Sequence, residues 1–192
     1  MTEPWLDGQF LIAMPGMRDS RFERTVVYLC AHSSEGAMGL VINRSQEMVF
    51  PDLLVQLGLM DEHEAIKLPA KARDFMVRDG GPVERSRGFV LHTGDYQAES
   101  SLEVTPEISL TATVDILRAI SRGGGPTRAL MALGYSGWGP GQLETEIADN
   151  GWLTCPATSE VMFSPDMTQI YPRALALLGI DNVNLSHYAG RA

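Results

Sequence analysis

Three β-rich apolar runs fall within the first 43 residues, and only turns and short loops separate them. Gln9-Phe10-Leu11-Ile12-Ala13-Met14 is stopped by Pro15-Gly16 and reads as a buried strand. Arg24 to His32 is β-branched and aromatic, which suits a pleated, half-buried surface. Ser33-Ser34-Glu35-Gly36 offers a hairpin connection to Gly39-Leu40-Val41-Ile42-Asn43. Hairpins join antiparallel strands, whereas a parallel pair needs a crossover of about a dozen residues or more. The start of the chain therefore points to an antiparallel sheet and away from regular βαβ units.

Helical patterns come mainly later. Pro51 to Leu57 has apolar residues at helical spacing, with Gly58 where a helix ends. Residues 60–73 are polar and mixed, and are expected to be a surface segment. Asp74–Arg78 and Arg87–His92 read as strands around a Gly80-Gly81-Pro82 turn, and Ile108–Thr111 as a short strand. Thr113 is placed to cap a helix through Val114 and Ile120, which ends before Gly123-Gly124-Gly125-Pro126. Arg128–Tyr135 reads as a buried strand, followed by a glycine-rich turn and a helix that Pro140 opens and Gly151 closes. Trp152–Pro156 is a strand, and Tyr171–Leu178 the last helix. The expected fold is α+β: one compact domain over residues 1–192, with mixed, mainly antiparallel coiled sheets carrying packed helices. The polar tail 182–192 is expected to be mobile.

The charge balance limits the partners. A net charge of −9 repels phosphate backbones and anionic membrane surfaces, so direct nucleic-acid binding is not expected. The helix after Pro140 carries Glu144, Glu146 and Asp149, and the last helix only Arg173. No apolar run approaches the roughly 20 residues of a membrane span, and the N-terminus has no basic leader. A cytoplasmic location follows as the expectation, with Cys30 and Cys155 reduced.

No complete catalytic pattern is present. Leu133-Gly134-Tyr135-Ser136-Gly137-Trp138 has the strand–turn–helix setting of a nucleophile elbow, but Trp138 stands where that pattern needs glycine. Ser136 and His92 are the weak catalytic candidates, as nucleophile and acid–base in a hydrolase-type reading. Cys30 and His32 lie two apart on one strand, which would put both on one face, and His92 ends another strand. Without CxxC or HxxxH spacing, no metal and no cofactor is expected. Arg18, Arg21, Arg24 and Arg44 suggest a local anion-binding face, or simply balance Asp19 and Glu23. Trp138, surrounded by glycines, is expected to cover them with a buried ring whose N–H finds an acceptor.

Seven ordered blocks resemble the YqgE/AlgH family of bacterial proteins. They are Leu11–Pro15, Arg24–Cys30, Glu35–Arg44, Gly80–Val83, Arg87–His92, Ala132–Glu144 and Asn150–Leu153. The resemblance implies coiled, bifurcated β-sheets dressed with helices in a cytosolic bacterial protein. It supplies no catalytic residues, and a transcriptional-regulator label on some members implies no mechanism. Most residues in the blocks are glycines and apolar residues, which serve the backbone. Asn43, Arg44, Arg87, His92, Trp138, Gln142 and Glu144 are the exceptions, and form the expected ligand or partner surface. The leading expectation is a non-enzymatic interaction or regulatory protein acting through an unidentified protein partner or small ligand.

Overall fold

The strand expected at the start of the chain is β1 (Gln9–Ala13), followed by β2 (Val26–Ser33) and β3 (Gly36–Val41). In this computed structural model, which describes residues 5–180, β1–β2 and β2–β3 pair antiparallel. The chain continues through α1 (Phe50–Gln56), α2 (Glu62–Ile66), α3 (Ala70–Arg73), β4 (Val77–Asp79) and β5 (Val83–Thr93). It then forms β6 (Leu102–Thr105), β7 (Ile108–Thr111), α4 (Val114–Ser121), β8 (Ala129–Trp138) and α5 (Gln142–Ala148). The last elements are β9 (Trp152–Pro156), α6 (Ser159–Met162), a 3-10 turn (Met167–Gln169) and α7 (Ile170–Leu177).

The nine strands follow the order β6-β7-β5-β8-β3-β2-β1-β9, with β4 branching from β8. The result is a curled, mainly antiparallel sheet with helices packed on it, in one compact α+β domain. The β4–β8 pair is parallel. On one side β8 pairs with β5, through Leu133–Ala129 opposite Gly88–His92. On the other side its first half pairs with β4 and its second half with β3. One strand thus serves two diverging sheets.

Alternation along the strands builds the interior. Phe10 and Ile12 of β1 join a cluster with Tyr28, Ile42, Met162 and Leu175. Leu11 and Ala13 face the other way, into a cluster with Trp138, Leu143 and Trp152. On β8, Leu130 and Ala132 enter the first cluster, while Met131 and Leu133 meet Phe50, Leu54 and Ile116 in a third. A fully buried Leu, Ile or Phe contributes about 1.5–3 kcal/mol each.

Several expectations are corrected. The 60–73 segment is not merely surface: it folds into α2 and α3 and buries Leu68 and Ala72. Asp61 caps α2 by accepting the Glu64 N–H at 2.8 Å. The glycine-rich stretch after Leu133 is not a turn, because β8 runs on to Trp138. The strands flanking Gly80-Gly81-Pro82 do not pair with each other; both lie against β8. Thr113 occupies the N-cap position of α4 but makes no side-chain cap, and its hydroxyl is buried without a partner. The strand β6 and the helix α6 had no periodic signal long enough to read. The expected mobile tail, 182–192, lies outside the described residues. Among the described residues no helix is long and apolar enough to cross a membrane.

Candidate functional site

The sheet forks because two backbones nearly touch. Gly134 has φ +80, and a Cβ there would sit 2.5 Å from the Gly81 carbonyl oxygen. Gly81 has φ +149, and a Cβ there would sit 2.3 Å from the Tyr135 carbonyl. Only glycines allow this approach. Between Val83 and Gly88 the β5–β8 register is broken by a bulge, and beyond Tyr135 β8 leaves β5 and continues beside β3. A bulge bends its strand, which opens a groove at the fork.

The groove has a volume of about 760 Å³. Met38, Val83, Phe89 and Tyr135 give it apolar walls, with Gly137 and Arg87 beside them. The Phe89 and Tyr135 rings meet edge to face at 5.8 Å. The Arg87 guanidinium lies 5.0 Å from the centre of the Phe89 ring and 3.3 Å from Glu84. Arg87 is thus a cation held over an aromatic floor, while Glu35 on the hairpin supplies negative charge at the edge.

The seven residues expected to share one surface are dispersed. Arg87 and Trp138 line the groove. Trp138 is only 6% exposed, packed 6.2 Å from Phe22 and 6.0 Å from Trp152. Its indole N–H donates to Glu146 at 3.3 Å, and the Trp152 indole donates to the same oxygen at 3.1 Å. Gln142 accepts the Gly139 N–H at 2.9 Å and donates to Glu146, which closes the turn into α5. Glu144 pairs with the Nε2 of His32, which itself lines the groove. Asn43 accepts the Val26 N–H and donates to the Arg24 carbonyl, both at 2.9 Å. Arg44 donates to the carbonyls of Ser20, Arg21 and Glu23 and so braces that loop.

His92 and Ser136 do not form a catalytic pair. His92 pairs with Ala129 across the ladder, which places Ser136 roughly 20 Å further along β8 at about 3.3 Å per residue. Both are fully buried. Ser136 donates to the Gly80 carbonyl at 3.2 Å. His92 Nδ1 donates to the Thr93 carbonyl at 2.8 Å, so its Nε2 accepts the Thr111 hydroxyl at 2.7 Å. Burial lowers the pKa of this imidazole, outweighing the Thr93 hydrogen bond and the charge of Asp95. Both ring nitrogens of His92 are thus engaged within the fold.

Cys30 and His32 do not share a face. The β2–β3 register shifts between Leu29 and Ala31, and that irregularity breaks the alternation. Cys30 points into the cluster of Tyr28 and Leu91, where burial pushes its pKa up. Among the described residues no three His, Cys, Asp or Glu side chains are grouped to hold a metal.

Sequence reasoning had not singled out Met38, Phe89 and Tyr135. The available signal was large apolar or aromatic side chains directly beside glycines, as in Met38-Gly39, Gly88-Phe89 and Gly134-Tyr135. It missed Glu146 as the shared acceptor of two indoles for a different reason: that role depends on the curled sheet bringing Trp138 of β8 and Trp152 of β9 together on one face, under α5.

A UPF0301 protein of Mesorhizobium japonicum is 70% identical over 188 residues, covering 98% of this chain and 93% of its own length. The solution structure of the AlgH protein from Pseudomonas aeruginosa matches with a TM-score of 0.79 and 40% identity, covering all of this chain and 97% of that one. A crystal structure from Corynebacterium diphtheriae has a TM-score of 0.70 at 17% identity, covers 92% of this chain and 88% of that one, and shows the shared fold alone. A family model described as AlgH-like matches residues 10–183, and the chain belongs to that family.

Proposed function

We propose that this is a non-enzymatic interaction or regulatory protein of the cytoplasm, and that it recognises a protein segment or small ligand in the groove at the sheet fork. The observation that carries the reading is the lining. Met, Phe, Tyr and Arg side chains converge in one open groove, and these residue types concentrate binding energy at interfaces. The volume also falls within the range of small-molecule sites, roughly 300–1,000 Å³. Arg87 supplies a cation for an acidic or carbonyl group, and the aromatic floor supplies apolar contact. The two weak catalytic candidates lie outside the groove with their hydrogen bonds already satisfied.

Affinity purification from cells tests the reading, comparing wild type with Arg87→Glu and Tyr135→Ser. A partner or small ligand retained by wild type should be lost from both variants and kept by Arg128→Glu, which changes charge outside the groove. Identical retained sets for all four proteins would refute the proposal.

A further inference from the structure

We propose that Arg21, Arg44 and Arg85 form a second site, which binds a phosphoryl group. The three arginines line a cavity of about 140 Å³, together with Val41, Asp79, Gly81 and Pro82. That is the share of about four or five liquid water molecules, which leaves room for a phosphoryl group. None of its lining residues lines the fork groove.

The arginines reach the cavity from three parts of the chain. Arg21 comes from the loop between β1 and β2, Arg44 from the segment after β3, and Arg85 from the bulged start of β5. Arg24, which the sequence grouped with Arg18, Arg21 and Arg44, instead stacks on Tyr171 at 4.9 Å. The cavity wall holds one acid against three cations, in a chain whose net charge is −9. Asp79 spends one oxygen on the Gly81 N–H at 3.2 Å and offers the other to Arg85 at 3.5 Å. Asp19 clamps Arg21 through two hydrogen bonds, at 3.0 and 2.8 Å. Asp19 also lies close enough to Arg44 to feel its charge, so the two acids offset part of the three cations, and the cavity wall itself stays net positive.

Each guanidinium carries about five N–H donors. Arg44 is fixed by three backbone carbonyls, so it is preorganised, and it keeps donors in reserve. Arg85 makes a single long contact, and its side chain is 70% exposed, which leaves it able to close over a ligand. A planar carboxylate is satisfied by one guanidinium fork, whereas a tetrahedral oxyanion uses donors arriving from several directions. Convergence from three segments therefore favours phosphoryl oxygen over carboxylate.

Isothermal titration of the whole chain with inorganic phosphate, in chloride of matched ionic strength, tests the site. Saturable one-site binding is expected. Arg85→Ala should weaken it at least about tenfold while leaving the thermal midpoint in phosphate-free buffer unchanged. Arg87→Ala, in the fork groove, should bind phosphate as wild type does. Phenyl phosphate distinguishes the sources: tighter binding than inorganic phosphate assigns the site to a phosphorylated molecule, and equal binding to the free ion. Three results would each overturn the proposal: no saturable binding of either phosphate, acetate binding as well as phosphate, or Arg85→Ala binding unchanged.

Discussion

Replacing Trp138 by alanine removes the ring that joins β8 to α5 and β9. The ring is 6% exposed and packs with Phe22, Trp152, Leu143 and Val41. An aromatic side chain of this kind buries about 150–250 Å², worth roughly 4–6 kcal/mol at about 25 cal/mol per Å². Partial collapse around the cavity brings the expected loss to about 3–5 kcal/mol, the usual cost of Trp→Ala in a core. Glu146 keeps the Trp152 donor, so the broken indole hydrogen bond adds little. For a chain of this size each kcal/mol moves the midpoint by about 2–4 °C, which predicts a fall of roughly 6–20 °C. Trp138→Phe keeps most of the packing and should cost only about 1 kcal/mol. Thermal unfolding followed by circular dichroism measures both variants. A midpoint for Trp138→Ala within about a degree of wild type would refute this account of the ring and make it a recognition residue.

Gly81→Ala should be poorly tolerated, because the new Cβ meets the Tyr135 carbonyl at 2.3 Å; a loss of about 2 kcal/mol or more is expected in urea unfolding, and an unchanged midpoint would contradict the close approach at the fork. Asp95 accepts hydrogen bonds from Thr127 and Thr93, which hold its pKa down at about 2. Its contribution is therefore present above the ordinary value near 3.9 and lost as pH falls through about 2, so the stability gap between wild type and Asp95→Asn should close over that window. A gap that stays constant down to pH 2 would show that the carboxylate is not the source. Cys30 is buried and its thiol is pushed up by that burial, so it should resist alkylation at pH 8 until the protein unfolds; rapid labelling of native protein at this position would be inconsistent with the core described.

The sequence made some of this fold legible and left the rest hidden, for identifiable reasons. The β1–β3 meander was readable because its apolar runs are long and its turns short. Trp152–Pro156 was readable because Gly151 and Pro156 bracket it. The length of β8 was not readable: four glycines from Gly134 to Gly141 look like a turn, yet β8 runs through the first two, and at Gly134 the missing Cβ lets the Gly81 backbone close on the strand. The bulge in β2 was equally hidden, and it alone separated Cys30 from His32. The site suffered from the same limit. Asn43, Gln142 and Glu144 are polar residues whose hydrogen bonds serve the chain itself, which sequence pattern cannot separate from residues waiting for a ligand. Arg85 joins Arg21 and Arg44 only through the path of β5.

The double membership of β8 has a consequence for how the molecule comes apart. Its ladder holds β5 on one side and β4 and β3 on the other, so neither sheet can detach while the strand stays paired. Local opening events that would normally stop at a sheet boundary have no boundary to stop at. Native-state hydrogen exchange should therefore give amides of β2 and β7, far apart in space, the same opening free energy. Assembly carries the mirror image of this coupling. Ala37 must find Trp138 across about half the chain, so the meander waits for β8 before it is locked, and folding should be slow for a protein of this length.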